Sequence, residues 1–336
     1  WAVLIQRAEP VFWDYFIVTE HFQRFFGASF AQHTEPFWFF LPVLAWGLLP
    51  WLFLLPAAVR TGKPSRPVRF LACWVLFLLL FFSASEGKLA TYILPCLPPC
   101  ALLFAFGLGR SLAAGRRRWF DAAANVLAGL LFLLLLAFLV FQFARPYDAP
   151  YVRGEGGKIA LIAAGLLAWA ILSRRAAAAG TPGAKIRFFA TGALIALAAV
   201  GAAVPRRIQE RKSPGELIAR NRDRLPPGST LFTTVETAAA AAWRLGRADG
   251  RILLLDDEGE LAFGLSFPEA KGRYLTWPEF GEAFAKRERS EPAAAIVPKD
   301  FYLDNASRFP PCDYRDETGG FVLLVYNQPA RPPADR

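Results

Sequence analysis

Both histidines of the 336-residue chain, His21 and His33, fall in one stretch, Trp13 to Pro42, which reads WDYFIVTEHFQRFFGASFAQHTEPFWFFLP. Imidazole is a common zinc ligand, and two imidazoles in one segment can form part of a metal site. The spacing does not place them on one helix face as in HExxH, so taken alone it favours two ordinary interfacial histidines over a metal site. Arg24 lies between them, four residues after Glu20. It is either half of an i,i+4 helix pair or a guanidinium able to grip a phosphate through paired hydrogen bonds. Lys88 and Tyr92 form a second group, in EGKLATYILP at the mouth of an apolar block. Four residues apart, they share a face if the segment is helical. Snorkelling and an aromatic belt explain them structurally; a phosphate site explains them chemically. Metal-capable and phosphate-capable groups set among Trp and Phe beside apolar sequence suggest a site at a membrane surface.

The elements that would position such a site are membrane spans. Hydrophobic residues make up 54% of the chain and charged ones 20%, and the apolar residues cluster in six blocks, at about 38–59, 70–85, 92–109, 122–143, 158–173 and 188–204. Flanking residues extend the shorter blocks toward the roughly 20 residues of a span. Pro42, Pro50 and Pro56 interrupt the first block, and Pro95, Pro98 and Pro99 the third; kinked or partly unwound helix is predicted there. Residues 11–26 are aromatic-rich and too polar to span, which predicts a helix lying in the interface; 27–37 reads as a loop.

The net charge of +10 does not point to nucleic acid, because its distribution is that of a membrane protein. Arg60, Lys63, Arg66 and Arg69, then Arg110, Arg116, Arg117 and Arg118, then Arg174, Arg175, Lys185 and Arg187 occupy three loops between apolar blocks. Cytoplasmic loops carry such an excess. Alternation then sends 11–37, 86–91 and 144–157 to the other side, together with everything after about residue 205. His21, Arg24, His33 and Lys88 are thereby predicted on one face of the membrane.

Residues 205–336 change character: prolines and charges appear, and apolar runs shorten to strand length. Ser213-x-x-Glu216 is a capping-box pattern that predicts a helix to about Arg224. Strands are expected at Thr230–Val235, Arg251–Leu255, Tyr274–Thr276, Ala293–Val297 and Phe321–Tyr326, with helices at Thr237–Leu245 and about 278–289, a small α/β domain. The predicted division is a transmembrane part, 1–204, holding the interfacial segment and six spans, and a soluble domain, 205–336. Four cysteines (Cys73, Cys96, Cys100, Cys312) give no disulfide framework. RGEGGK (Arg153–Lys158) lacks the Walker spacing and reads as a flexible turn. No G-x-S-x-G, GxGxxG or clustered CxxC pattern occurs, so hydrolase-elbow, dinucleotide and zinc-ribbon readings have no support.

EHFQRF (Glu20–Phe25), QHTEPFWFFLP (Gln32–Pro42), LLPW (Leu48–Trp51) and SEGKLATYILP (Ser85–Pro95), with GELAFGLSFPEAKGRYLT (Gly259–Thr276), resemble the bacterial aminoarabinose (4-amino-4-deoxy-L-arabinose) lipid A transferase family. The resemblance runs through both halves of the chain in order. It implies a multi-span α-helical bundle of the lipid-linked-sugar glycosyltransferase type in the bacterial inner membrane, followed by a periplasmic α/β domain. The implied reaction moves 4-amino-4-deoxy-L-arabinose from undecaprenyl phosphate to lipid A phosphates, with resistance to polymyxin-like cationic peptides as the phenotype. Carried over by motif, His21 and His33 match positions around a divalent metal, zinc in expectation. Arg24 and Tyr92 match groups that hold the carrier phosphate, with Lys88 beside Tyr92. The family's catalytic aspartate is expected upstream of Trp1; a chain without methionine that begins with tryptophan reads as a C-terminal fragment, inactive by itself. Family sequences often read KGKLPTY where this chain has EGKLATY, so Glu86 and Ala90 alter the mouth of the site. The alternatives are a sister enzyme that moves another sugar, such as galacturonic acid or mannose, or uses a protein acceptor, and a non-catalytic membrane scaffold.

Overall fold

The computed structural model describes residues 2–23, 34–59, 65–144, 149–246, 251–287 and 291–326. The chain divides into two compact units, one of Trp1–Arg145 and Gly157–Ala203, the other of Pro146–Gly156 and Val204–Arg336.

The first unit is helical. Among the described residues, five helical stretches are long and apolar enough to cross a membrane: Arg66–Ser83, Ala90–Ala113, Arg118–Ala144, Gly156–Ala178 and Pro182–Ala202. The first apolar block differs from a straight span. It forms two helical pieces, Phe37–Gly47 and Trp51–Ala58, bent by 89° at the break between them. The proline pattern explains where the chain bends. Pro42 and Pro56 stand in the first turns of Phe40–Gly47 and Leu55–Val59, where a missing N–H breaks no intrahelical bond. Pro50 instead occupies the break. Likewise Ala90–Cys96 is a 3₁₀ helix containing Pro95, and Pro98 and Pro99 lie in the first turn of Leu97–Ala113. Within the stretch 11–26 expected as an interfacial helix, Asp14–Gln23 is a π-helical segment and 24–26 lie outside the described residues; a short α-helix, Ala2–Ala8, precedes it.

Small residues set the helix contacts, as they do where apolar burial alone gives no drive to associate. A Cβ on Gly107 would come within 2.3 Å of the Ala58 carbonyl oxygen, and one on Gly165 within 2.8 Å of the Ala199 Cβ. Around these contacts Leu54, Ala57, Phe104, Leu108, Phe120 and Phe189 form the main buried cluster. A second cluster, Phe40, Ile93 and Cys96, packs with Val75, Leu79 and Phe82 and supports the 84–92 turn.

Two of the basic loops meet at one end of this bundle. Arg117 donates to the Gly180 carbonyl (2.7 Å), Arg174 to Asn125 Oδ1 (2.7 Å), and Lys185 pairs with Asp121. Lys185 corrects the sequence reading in one respect: it is 1% exposed rather than a free loop charge. Its ammonium also donates to the carbonyls of Ala177 (2.7 Å) and Ala176 (3.3 Å), which the end of Gly156–Ala178 leaves without helical partners.

The second unit is an α/β domain built on a six-stranded sheet. The strands are β1 (Thr230–Thr233), β2 (Ile252–Leu255), β3 (Tyr274–Leu275), β4 (Ala293–Pro298), β5 (Tyr314–Glu317) and β6 (Phe321–Tyr326), in the order β3-β2-β1-β4-β6-β5. β1 to β4 are mutually parallel; β6 runs antiparallel to both β4 and β5. Alternate residues of β4 and β6 enter two cores, Ala294, Ile296, Leu323 and Val325 on one face and Ala295, Val297, Val322 and Leu324 on the other. Burial on both faces explains why these strands read as unbroken apolar runs.

Three local readings change. Gly215–Arg220 is the helix, and the predicted Ser213–Glu216 box is not made: Ser213 Oγ accepts from Gly215 N (3.2 Å), while Pro214 occupies the cap. β5, of sequence YRDE, was not predicted, because its outward positions carry charges. RGEGGK is no loose turn. Glu155 is 6% exposed, and its two oxygens accept from the backbone N–H groups of Val152 and Arg206, each at 3.0 Å.

Candidate functional site

The turn between helix Arg66–Ser83 and the 3₁₀ helix Ala90–Cys96 carries Lys88 and Tyr92. Span Ala90–Ala113 runs from this turn to the Arg116–Arg118 loop, so Lys88 stands at the bundle end opposite the loops that Arg117, Arg174 and Lys185 tie together. Thr34 and Gly87 form an isolated antiparallel β-bridge, which joins the residue after His33 to the Lys88 turn. The sequence placed these segments on one side of the bundle; the bridge brings their described ends into contact.

Lys88 is 6% exposed. It does not snorkel. Its Nζ donates to the Ser85 carbonyl at 2.5 Å, and among the described residues no carboxylate pairs with it. An ammonium has three protons to donate and no capacity to accept, so one carbonyl leaves most of its demand unmet. Burying such a charge is costly unless an anion is supplied. Leu89 is extended (φ −116°, ψ 137°) and the helix begins only at Ala90. Lys88 and Tyr92 therefore do not share a helical face, contrary to the spacing argument: Lys88 turns inward before the helix starts. Tyr92, 37% exposed, leans on Phe82 with ring centroids 5.3 Å apart. The turn thus offers a buried cation and an accessible phenol, the pair of donors that an anionic oxygen at a membrane surface requires.

The remaining candidates fall elsewhere. His21 belongs to the π-helical segment Asp14–Gln23, while its side chain, Arg24 and His33 lie outside the described residues. Among the described residues no group of three or more His, Cys, Asp or Glu side chains is placed to hold a metal. Ser85 was quoted in a motif but given no role by sequence reasoning. It is 4% exposed, and its Oγ donates to the Gly87 carbonyl at 3.0 Å. A serine just after a long apolar helix was the signal available, and it is a weak one.

Known proteins resemble the chain in both units. Residues 209–325 match the family model described as the C-terminal domain of arabinosyl transferase ArnT. An undecaprenyl phosphate-α-4-amino-4-deoxy-L-arabinose arabinosyl transferase of Sodalis glossinidius is 40% identical, over 98% of this chain and 59% of its own length. A protein of the same name from Erwinia tasmaniensis is 35% identical, over 98% of this chain and 60% of its own. The chain thus spans about three-fifths of the length of the curated relatives it matches. A crystal structure of ArnT from Cupriavidus metallidurans bound to undecaprenyl phosphate shares the fold, with TM-score 0.66 and 20% identity over 97% of this chain and 57% of that one. The membrane unit and the α/β domain are thus both similar to undecaprenyl phosphate-aminoarabinose arabinosyl transferases, the second also to the C-terminal domain model of that family.

Proposed function

We propose that the protein takes part in moving 4-amino-4-deoxy-L-arabinose from undecaprenyl phosphate to a phosphate of lipid A, at the periplasmic face of the bacterial inner membrane. The observation that carries this reading is Lys88, a buried ammonium with one carbonyl for a partner among the described residues, at the bundle end opposite the basic loops. In the transfer, the bond between the sugar's anomeric carbon and the carrier phosphate breaks, and a bond from that carbon to an acceptor phosphate oxygen forms. The carrier phosphate leaves with the electron pair, so negative charge grows on its oxygens. Lys88 and Tyr92, with Arg24, are placed in the role of stabilising that charge, and a pre-positioned cation acts most strongly where water is excluded. The base that takes or orients the acceptor's proton is assigned to no residue of this chain.

His21 and His33 are proposed as two donors to a divalent metal, zinc by its preference for imidazole. Two imidazoles are half of a tetrahedral set, and among the described residues no group of three or more His, Cys, Asp or Glu side chains forms a metal site of its own. When bound, zinc would supply a fixed positive charge beside the phosphates. Metal content of the purified protein, measured by mass spectrometry, is expected to fall in His21→Ala and His33→Ala; unchanged content overturns the assignment.

The reaction is tested by mass spectrometry of lipid A from a host that lacks its own transferase, complemented with the full-length gene or its Arg24→Ala or Lys88→Ala form. Aminoarabinose added by the wild type and lost in both variants is the expected result. Addition by all three leaves the reaction standing and removes the phosphate roles. A different sugar mass identifies a sister transferase, and no modification at all, with expression and donor supply confirmed, overturns the reading in favour of a scaffold.

A further inference from the structure

We infer that Ser85 is a positioning residue for phosphate binding, acting through Lys88; the inference rests on the proposed role of Lys88. Two interactions of the one serine shape the turn. Its carbonyl receives the Lys88 ammonium at 2.5 Å, and its hydroxyl donates to the Gly87 carbonyl at 3.0 Å. Helix Arg66–Ser83 has just ended: Ala84 N–H still reaches the Leu80 carbonyl, and Ser85 N–H the Phe82 carbonyl. From there the chain must reverse within three residues and deliver Lys88 to the interior. Gly87 is the pivot, because it also forms the bridge to Thr34. With its carbonyl held by Ser85 Oγ, the peptide between Gly87 and Lys88 has a fixed orientation, and Lys88 leaves it on the buried side.

The Ser85 carbonyl differs from a carboxylate in a way that matters for function. A carboxylate would neutralise the ammonium and compete with an incoming phosphate. A carbonyl orients the ammonium by one hydrogen bond and leaves its full charge and two of its protons for the ligand. The proton of the Ser85 hydroxyl is already committed to the Gly87 carbonyl, so its contribution runs through the turn.

The test is equilibrium binding of undecaprenyl phosphate to the full chain purified in neutral detergent, with thermal melting of every variant measured alongside. Ser85→Ala removes the hydroxyl and is expected to weaken binding about tenfold, the scale of losing the one hydrogen bond that orients the turn. Ser85→Thr keeps a hydroxyl at the same position and is expected to restore binding. The decisive measurement is Ser85→Ala in a Lys88→Ala background. If Ser85 acts through Lys88, the second substitution adds nothing; an equal further loss would show a general structural role and overturn the inference. Lys88→Ala weak and Ser85→Ala normal would remove Ser85 while leaving the site intact. Lys88→Ala with normal binding would remove the site reading and this inference together. Should Ser85→Ala fail to fold, Ser85→Cys, of similar size with a much weaker donor, carries the same comparison.

Discussion

Among the described residues two lysines are buried in the membrane unit, Lys88 at 6% exposure and Lys185 at 1%, and their surroundings are opposite in kind. Lys185 uses all three protons: one on the Asp121 carboxylate and two on carbonyls at the end of a helix, with the Phe120 ring 5.6 Å away. It joins Arg118–Ala144, Gly156–Ala178 and Pro182–Ala202 at one end and has nothing left to offer a ligand. Lys88 has one carbonyl. Burial is shared, so burial alone does not mark a functional cation; the count of satisfied protons does. A saturated buried ion pair stabilises chiefly because breaking it is so costly, whereas a lone buried ammonium is a standing cost that a bound anion relieves.

That contrast predicts effects of opposite sign. Lys88→Met is expected to lower the proposed aminoarabinose transfer, measured on the full-length protein, about a hundredfold, the scale of losing one electrostatic donor to a developing anion. Its melting temperature should stay level or rise, since an uncompensated buried charge is removed. Lys185→Met should do the reverse. Transfer per folded molecule is kept, but stability falls by about 2 kcal/mol, discounted from a fully buried pair because the Asp121 side chain is 34% exposed. Asp121→Asn added to Lys185→Met should recover part of that loss. Activity and melting measured on both variants would break the comparison if Lys185→Met proved the inactive one.

Much of this architecture could be read from the sequence, and the part that could not has a common cause. Apolar blocks gave the spans, because a membrane helix is a local and compositional feature. Strands β4 and β6 were legible from AAAIV and FVLLVY, since a strand covered on both faces is apolar at every position. Partners distant in sequence were not legible. Lys185 looked like one more loop cation because Asp121 is 64 residues away. Glu155 looked like part of a loose turn because its acceptor role is defined by Arg206. At the candidate site the residue types announced themselves, but neither the burial of Lys88 nor the bridge between Thr34 and Gly87, 53 residues apart, follows from a local pattern. The first proline block was anticipated as a kink; that Pro42 and Pro56 each open a helix while Pro50 alone marks the bend depends on where the helices restart.

Packing gives an intermediate effect, independent of charge. Gly107→Val puts a branched side chain where even a Cβ would overlap the Ala58 carbonyl oxygen at 2.3 Å. Backbone cannot yield as a side-chain tip can, so a loss of about 1–3 kcal/mol is expected, visible as a lower melting temperature. Gly109→Ala, two residues on and with nothing within 4 Å, is the control and should be neutral. Equal behaviour of the two would mean that the helices Leu55–Val59 and Leu97–Ala113 do not approach as closely as described.

A partly exposed paired cation lies in the α/β domain, where water competes, and it yields the smallest expected effect. Arg220 grips Asp316 with both nitrogens, Nε to Oδ2 and Nη2 to Oδ1, each at 2.7 Å, while Asn221 Nδ2 donates to Oδ2 at 2.6 Å. Burial by itself would raise the Asp316 carboxyl, but the hydrogen bonds from Arg220 and Asn221, with the Arg220 charge, outweigh it and hold the group below the usual aspartate range. A carboxyl depressed in the folded state binds fewer protons folded than unfolded near its titration. Its stabilisation is therefore complete above the unfolded value of about 4 and is lost as pH falls through the lower folded value. Glu317, lowered chiefly by its bond from Arg315, and Glu279, lowered chiefly by the Thr276 backbone N–H, titrate in the same direction. Asp316→Asn should thus flatten only part of the acid limb. With Arg220 44% exposed, solvent screening keeps the contribution modest. Denaturant midpoints of the wild type and Asp316→Asn, taken from about pH 5 down to about pH 3, should converge toward the acid end; parallel curves would mean that the Arg220 clamp leaves Asp316 unshifted and that this ion pair stabilises no more than its exposure suggests.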